Sequence, residues 1–422
     1  MRKDWQRSST QVITESAKWV TLLVLVITLL AVGLVLTPIS ELWPRLLTII
    51  KEPDILIVDY IAIAGLGPAL TNAGLVGLSN LILLRLNLIH ISGPVVAALF
   101  TMIGFALFGK TVVSIWPVII GVWFYARVRR EPFRIYFIPA MFGTALAPIF
   151  SQVTFGFGKG VFLGFLAAAL AGFILPPLAS QLLRVHQGLN LYNIGFTAGF
   201  IGTMYASVFR AYGLVGERTI TLSAGEHHWL VRALPIYLLA ILALGLWWSS
   251  GEVAGQYRKL VSYSGALVTD LVDLVGFGAA LINMAVVGLV GYLYVVIVRG
   301  DFNGPTIGAI LTMVGFAAFG KHPLNIIPVI GGAFLGSLGH IWSVQEPSIV
   351  IAALFSTTLA PIAGTFGPVY GLIAGFFHVA VTNNVSYLHG GLNLYNNGFA
   401  GGIVATMMVV IIKALHPKYR DD

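Results

Sequence analysis

The chain of 422 residues contains no cysteine. Disulfides, thiolate metal sites and cysteine nucleophiles are therefore excluded, while the compartment stays open. Charge is also scarce: Asp, Glu, Lys and Arg make up 9% of residues, against roughly 25% in a soluble domain. So few charges cannot cover a globule with polar surface, which excludes a soluble enzyme, a nucleic-acid binder, a disordered protein and a secreted module. No G-x-S-x-G, H-E-x-x-H or Walker A pattern occurs, and there is no nucleotide-binding domain to couple energy. Without a catalytic constellation, an enzyme is not expected.

Apolar residues are what the chain does have, at 58% with a mean hydropathy of +0.91. An integral membrane protein with many spans follows. The excess of 24 Lys+Arg over 16 Asp+Glu reads as the basic bias of cytoplasmic loops. A spanning helix needs about 20 apolar residues. Apolar runs fall at 18–37, 56–86, 93–109, 112–127, 135–150, 158–183, 189–209, 229–249, 266–298, 304–320, 323–342, 347–364, 366–386 and 391–413. The first has no small-residue cleavage pattern after it and is expected to be a retained helix. Several runs are short or carry Gly or Pro inside: Gly65-Leu66-Gly67-Pro68, Pro117, Pro148, Pro176-Pro177, Pro328 and Pro361. Broken helices survive in lipid only where freed backbone groups face protein or a watery cavity. Some runs are therefore expected to be re-entrant or discontinuous.

The strongest pattern is an internal repeat. GPVVAALFTMIGFALFGK (93–110) and GPTIGAILTMVGFAAFGK (304–321) share 11 of 18 positions at an offset of 211. Asp59, Gly65, Gly67, Asn72 and Gly77 keep that offset to Asp270, Gly276, Gly278, Asn283 and Gly288. Further on, Ala140–Pro148 matches Ala353–Pro361, and Gly188-Leu-Asn-Leu-Tyr-Asn-Ile-Gly-Phe196 matches Gly391-Leu-Asn-Leu-Tyr-Asn-Asn-Gly-Phe399. The expected organisation is a basic tail and first helix over 1–52, repeat one over 53–213, an external loop and linking helix over 214–263, and repeat two with a basic tail over 264–422. Arg127, Arg129, Arg130 and Arg134 form the densest basic cluster and set the cytoplasmic side. Arg2, Lys3 and Arg7, Arg258-Lys259, and Lys413, Lys418 and Arg420 fall on the same side if every run crosses once. Both termini are then cytoplasmic, in the cell (inner) membrane. The linking helix 229–249 then turns the chain over and inverts repeat two. The expected fold is all-α and polytopic, with two inverted repeats of six segments each and broken or re-entrant half-helices. In such proteins the substrate site lies near the midplane between repeats.

Polar residues at membrane depth that occur in both halves are the site candidates. Asn72 and Asn283 follow the glycine breaks, where an amide can meet a solute or bond a freed carbonyl. Thr101 and Thr312 lie inside short runs that begin Gly-Pro and end Phe-Gly-Lys, the pattern of half-helices. Asn190, Tyr192, Asn193 and Asn393, Tyr395, Asn396 stand where helix N-termini are expected, which suits either an anionic or carbonyl oxygen or plain capping. Lys110 and Lys321 end the half-helices, offsetting their dipoles or reaching an anionic solute. Asp59 and Asp270 precede the breaks and would bind a coupling cation or proton, or pair with a lysine. Asp273 has no counterpart. His378 reads as a bonded packing residue, and His186 and His389 as loop residues.

At these residues the chain resembles the urea transporter family. Ile63-Ala-Gly-Leu-Gly-Pro-Ala-Leu-Thr-Asn72 resembles that family's glycine-rich entry to an Asn-containing break. Tyr192-Asn-Ile-Gly-Phe-Thr-Ala-Gly199 and Tyr395-Asn-Asn-Gly-Phe-Ala-Gly-Gly402 resemble its Tyr-Asn-Gly-x-Leu-x-Gly element, and Ile115–Trp123 its Trp-Pro-rich helix. The resemblance touches about a third of the chain, and Lys110 and Lys321 have no counterpart in it. It implies two inverted halves around a pore that passes urea or an amide-sized solute, in an oligomer of separately conducting subunits. The chain is also similar to a group of bacterial multispanning proteins of unassigned function. The expected partners are a small-molecule solute, the bilayer and further copies of the chain in a dimer or trimer, with no nucleic acid and no cofactor. A channel-like facilitator is expected first. An ion-coupled transporter, using H⁺ or Na⁺ at Asp59 and Asp270 and carrying a small, sometimes anionic solute, is the alternative.

Overall fold

A computed structural model describes residues 13–216, 220–223, 227–249, 252–339 and 341–416. The basic residues Arg2, Lys3, Arg7, Lys418 and Arg420 lie outside the described residues, as do Glu217 and Arg218 of the expected external loop. The described residues form α-helices and no named strand. The first half holds α1 (Glu15–Leu36), α2 (Ile39–Lys51), α3 (Tyr60–Ala64), α4 (Leu66–Leu86), α5 (Gly93–Phe105), α6 (Ile115–Arg129), α7 (Phe137–Gly143), α8 (Ala147–Ser151), α9 (Val161–Val185) and α10 (Asn193–Ala211). The second holds α11 (His227–Trp248), α12 (Val253–Leu260), α13 (Leu271–Val275), α14 (Phe277–Ile297), α15 (Gly304–Phe316), α16 (Pro323–Ser337), α17 (Pro347–Ser356), α18 (Ala360–Phe366), α19 (Pro368–Val385) and α20 (Asn396–Leu415). Eight segments of the described residues are long and apolar enough to cross a membrane: α1, α4, 133–156, α9, α11, α14, 347–366 and α20. α5, α15 and α16 are shorter, at 13, 13 and 15 residues. This is an all-α, multi-pass membrane protein.

The two halves match element for element. α1 packs on α4 as α11 packs on α14. The small-residue contacts that let them close are equivalent too. A Cβ on Gly67 would lie 2.1 Å from Thr37 Oγ1, and one on Gly278 2.6 Å from Ser249 Oγ. The helix at 229–249 is therefore the counterpart of α1 rather than a separate linker. Each structural repeat begins with it, earlier than the sequence similarity does.

The expected half-helices are α5 and α15, and their short length has a clear cause. Pro94 and Pro305 sit in the first turn, and Gly109 (φ +148°) and Gly320 (φ +143°) follow the C-terminal ends. Each starts on a carboxylate from the other half. Gly93 N–H donates to Asp270 Oδ1 at 2.9 Å, and Gly304 N–H donates to Asp59 Oδ2 at 3.2 Å. At the same ends, Tyr60 N–H meets Leu107 O at 3.0 Å and Leu271 N–H meets Ala318 O at 3.1 Å. The start of each half-helix thus abuts the end of the other, and the two lie antiparallel. They cross closely at Gly104 and Gly308, where an added Cβ would come within 2.6 and 2.4 Å of the opposing carbonyl.

The helix interruptions fall only partly where expected. α3 and α13 end at Gly65 (φ +89°) and Gly276 (φ +99°), and Pro148 and Pro361 follow tight turns over 144–146 and 357–359. Pro117, Pro176, Pro177 and Pro328 instead lie within continuous helices.

Candidate functional site

The site grows out of the C-terminal ends of α5 and α15. Each is followed, after a tight turn, by a lysine that is 0% exposed, Lys110 or Lys321. An ammonium at such an end offsets free carbonyls, yet both side chains turn toward the other half of the molecule. Lys110 Nζ donates to Thr144 Oγ1 at 2.8 Å and to Tyr395 Oη at 2.5 Å. Lys321 Nζ donates to Thr357 Oγ1 at 2.7 Å and to Tyr192 Oη at 2.5 Å. Each threonine comes from the lysine's own half, each tyrosine from the opposite one. The ammonium groups also sit 4.5 and 4.4 Å from the centroids of the Tyr395 and Tyr192 rings, a cation–π arrangement. No carboxylate pairs with either lysine among the described residues.

The tyrosines are aimed by the Asn-Leu-Tyr-Asn element. Asn190 Oδ1 accepts Tyr192 N–H at 3.2 Å while its amide donates across to Gly398 O at 3.1 Å. Asn393 repeats this with Tyr395 N–H at 2.9 Å and Gly195 O at 3.2 Å. Asn193 and Asn396 open α10 and α20, donating to Ala179 O and Thr382 O and accepting from His186 and His389, each at 2.9 Å. Both imidazoles also accept a backbone N–H at Nδ1, from Asn190 and Asn393. That bonding sets the neutral tautomer with the proton on Nε2. The two histidines, read from sequence as loop residues, are buried struts of the site.

Between these elements lies a cavity of about 320 Å³. Six equivalent pairs line it: Thr101 and Thr312, Phe105 and Phe316, Phe142 and Phe355, Leu191 and Leu394, Tyr192 and Tyr395, Gly195 and Gly398. The cavity therefore draws its walls from both halves. It runs from an exposed rim at Ile135, Ser180 and Val268 to buried walls at Thr101, Leu191 and Tyr192. Thr101 Oγ1 has no partner among the described residues, whereas Thr312 Oγ1 donates to Gly308 O at 2.8 Å.

Several expected site residues stand elsewhere. Asn72 Nδ2 donates to Ala106 O and Lys110 O, both at 2.8 Å, and Asn283 Nδ2 to Ala317 O and Lys321 O at 2.8 and 2.7 Å. Neither lines the cavity, so the amides tie off the half-helix ends. Asp59 and Asp270 are spent as caps on α15 and α5, and Asp59 also accepts Ser223 N–H at 3.0 Å. Asn396 does not reach the wall, though Asn193 does. His378 Nε2 meets Asn397 Oδ1 at 3.1 Å, a packing bond. Sequence reasoning missed Thr144 and Thr357 and the phenylalanine pairs. Thr144 and Thr357 were visible as identities in the matched Ala140–Pro148 and Ala353–Pro361 segments.

One acid breaks the symmetry. Asp54, in the segment between α2 and α3, is 0% exposed and stands where the second half has Gly265. Its Oδ1 accepts from Tyr60 Oη and its Oδ2 has no partner among the described residues. Burial pushes its carboxyl up to about 7, against the opposing hydrogen bonds from Tyr60 and Ser151. A carboxyl whose folded pKa lies above its unfolded value keeps its proton in the fold while the unfolded chain loses it. Its contribution to stability is thus lost as pH rises from about 4 to 7 and is flat above that. Thermal unfolding of detergent-solubilised Asp54→Asn is expected to be less pH-dependent than wild type across that window, and the variant to be the more stable of the two at pH 8. An unchanged pH slope would mean Asp54 is ionised in the fold.

The fold and this cavity define a polytopic helical membrane protein built from two similar halves around a shared internal space. The chain belongs to the family described as "Protein of unknown function (DUF1576)", which matches residues 39–211 and 249–414. The first matched segment begins at α2 and the second just after α11, ahead of α12. No curated protein and no solved structure matches the chain.

Proposed function

We propose that the protein is a membrane transport protein that passes a small solute through the cavity between its halves. The carrying observation is that cavity itself, lined by equivalent residues from both halves and ending in buried polar groups. Polar groups held at depth in an apolar protein are costly unless they serve a pathway. The antiparallel packing of α5 and α15 supports halves of opposite orientation in the bilayer, the arrangement that places a site at the repeat interface. The basic cluster Arg127–Arg134 runs directly into the rim residue Ile135, which supports an open end on the cytoplasmic side of the cell membrane. A channel-like facilitator fits better than ion coupling at Asp59 and Asp270, because both carboxylates are already occupied as helix caps. The urea-transporter resemblance agrees with this general plan of paired half-helices about a central passage.

Proteoliposome flux tests the reading. A tryptophan in place of Leu191 extends into the cavity and is expected to reduce tracer flux by about tenfold or more, as narrowing a pore raises the barrier to permeation. The variant should keep the elution profile of the folded protein. Flux that is unaffected by the plug would place the passage elsewhere.

A further inference from the structure

No charged side chain among the described residues lines this cavity, but its wall tyrosines, Tyr192 and Tyr395, are backed by Lys321 and Lys110. Lys110 and Lys321 are fully buried with no carboxylate paired to them among the described residues. Uncompensated buried charge is strongly unfavourable, so the site asks for a negative partner. Each ammonium places two of its three N–H groups on hydroxyls. A tyrosine oxygen that accepts from an ammonium keeps its own O–H to donate, and that donor is strengthened by the neighbouring charge. Thr101 adds a third hydroxyl, 2% exposed and without a partner among the described residues.

Carboxylates are missing. No Asp or Glu among the described residues lines the cavity. The two side-chain amides on its wall have their oxygens occupied, Asn193 by His186 and Asn397 by His378. A cation needs negative charge, and no carboxylate among the described residues lines the cavity to supply it. An anion needs only donors and positive charge.

Resting on the transport reading above, we infer that the transported solute is a small monovalent anion, bound by the Tyr192 and Tyr395 hydroxyls that Lys321 and Lys110 hold, with Thr101 as a further donor. The arginine-rich segment at the rim raises the local anion concentration on that side.

The test is uptake of labelled chloride and formate against labelled urea and methylammonium, in liposomes holding the purified wild-type protein. Uptake of an anion and exclusion of urea and methylammonium are expected. Tyr192→Phe combined with Tyr395→Phe keeps both rings and removes both hydroxyls, and should lower anion uptake by about tenfold or more. Lys110→Met with Lys321→Met should abolish it; the phenylalanine pair reads the same site if the methionine pair fails to fold. Urea uptake without anion uptake would overturn the anion assignment while leaving the passage intact. No uptake of any of the four solutes would overturn both. Anion uptake at wild-type rate in the phenylalanine pair would remove the tyrosines from the site.

Discussion

Gly332→Ala is expected to leave no folded protein after detergent extraction, while Gly331→Ala, one residue earlier, extracts and unfolds like wild type. The two glycines share a helix but not an environment. A Cβ on Gly332 would lie 1.8 Å from Leu372 O, whereas one on Gly331 meets nothing within 4 Å. The carbonyl belongs to the backbone of α19 and cannot swing aside, so α16 and α19 must separate. Overpacking of this kind costs about 3 kcal/mol or more. Relief of glycine's helix penalty at Gly331 is worth up to about 1 kcal/mol in the opposite sense. Gly121, the equivalent in the first half, would bring a Cβ to 1.9 Å from Ala169 O, and Gly121→Ala should fail likewise. Size-exclusion profiles and thermal unfolding decide it. A monodisperse Gly332→Ala protein would mean that these helix pairs are not in such close contact.

The same close contacts explain which parts of the architecture could be seen in the sequence. The half-helix segments Gly93–Lys110 and Gly304–Lys321 stay alike because nearly every side chain in them is buried against the other half. Gly104 and Gly308 touch backbone, and the terminal lysines are fixed by four hydroxyls. α1 and α11 were not recognisable as equivalents. Much of their surface is exposed Val, Leu and Ile facing outward, where one apolar side chain serves as well as another. Their equivalence lives in a few contacts, such as Thr37 on Gly67 and Ser249 on Gly278. The lysine–tyrosine pairs lay beyond sequence reasoning for a different reason. Their members are 285 and 129 positions apart, and only the docking of one half on the other exchanges partners between them. The aspartates misled in the same way. A carboxylate near a glycine break reads as an ion site until the N–H groups it caps, on a helix of the other half, are known.

Asn72 carries the second large effect, and its direction separates structure from passage. An amide beside a break suggests a solute contact, and its loss would then stop flux in a protein that still folds. The hydrogen bonds require another result. Replacing Asn72 by leucine strips partners from Ala106 O, Lys110 O and Val112 N–H. Each buried group left unsatisfied costs about 1–3 kcal/mol, so the single mutant is expected to unfold far earlier than wild type. Asn283→Leu orphans Ala317 O and Lys321 O but releases only a long contact of 3.4 Å from Tyr257. It should therefore be the milder of the two. The halves meet their amides separately, so the effects should add, and the double mutant should yield no folded protein. Unfolding midpoints of the two single mutants provide the measurement. A double mutant that extracts, stays monodisperse and merely loses flux would return both amides to the pathway. The ends of α5 and α15 would then have to be held by something other than these side chains. The lysines that cap those ends would lose their fixed position with them, which ties the anion site to the same two asparagines.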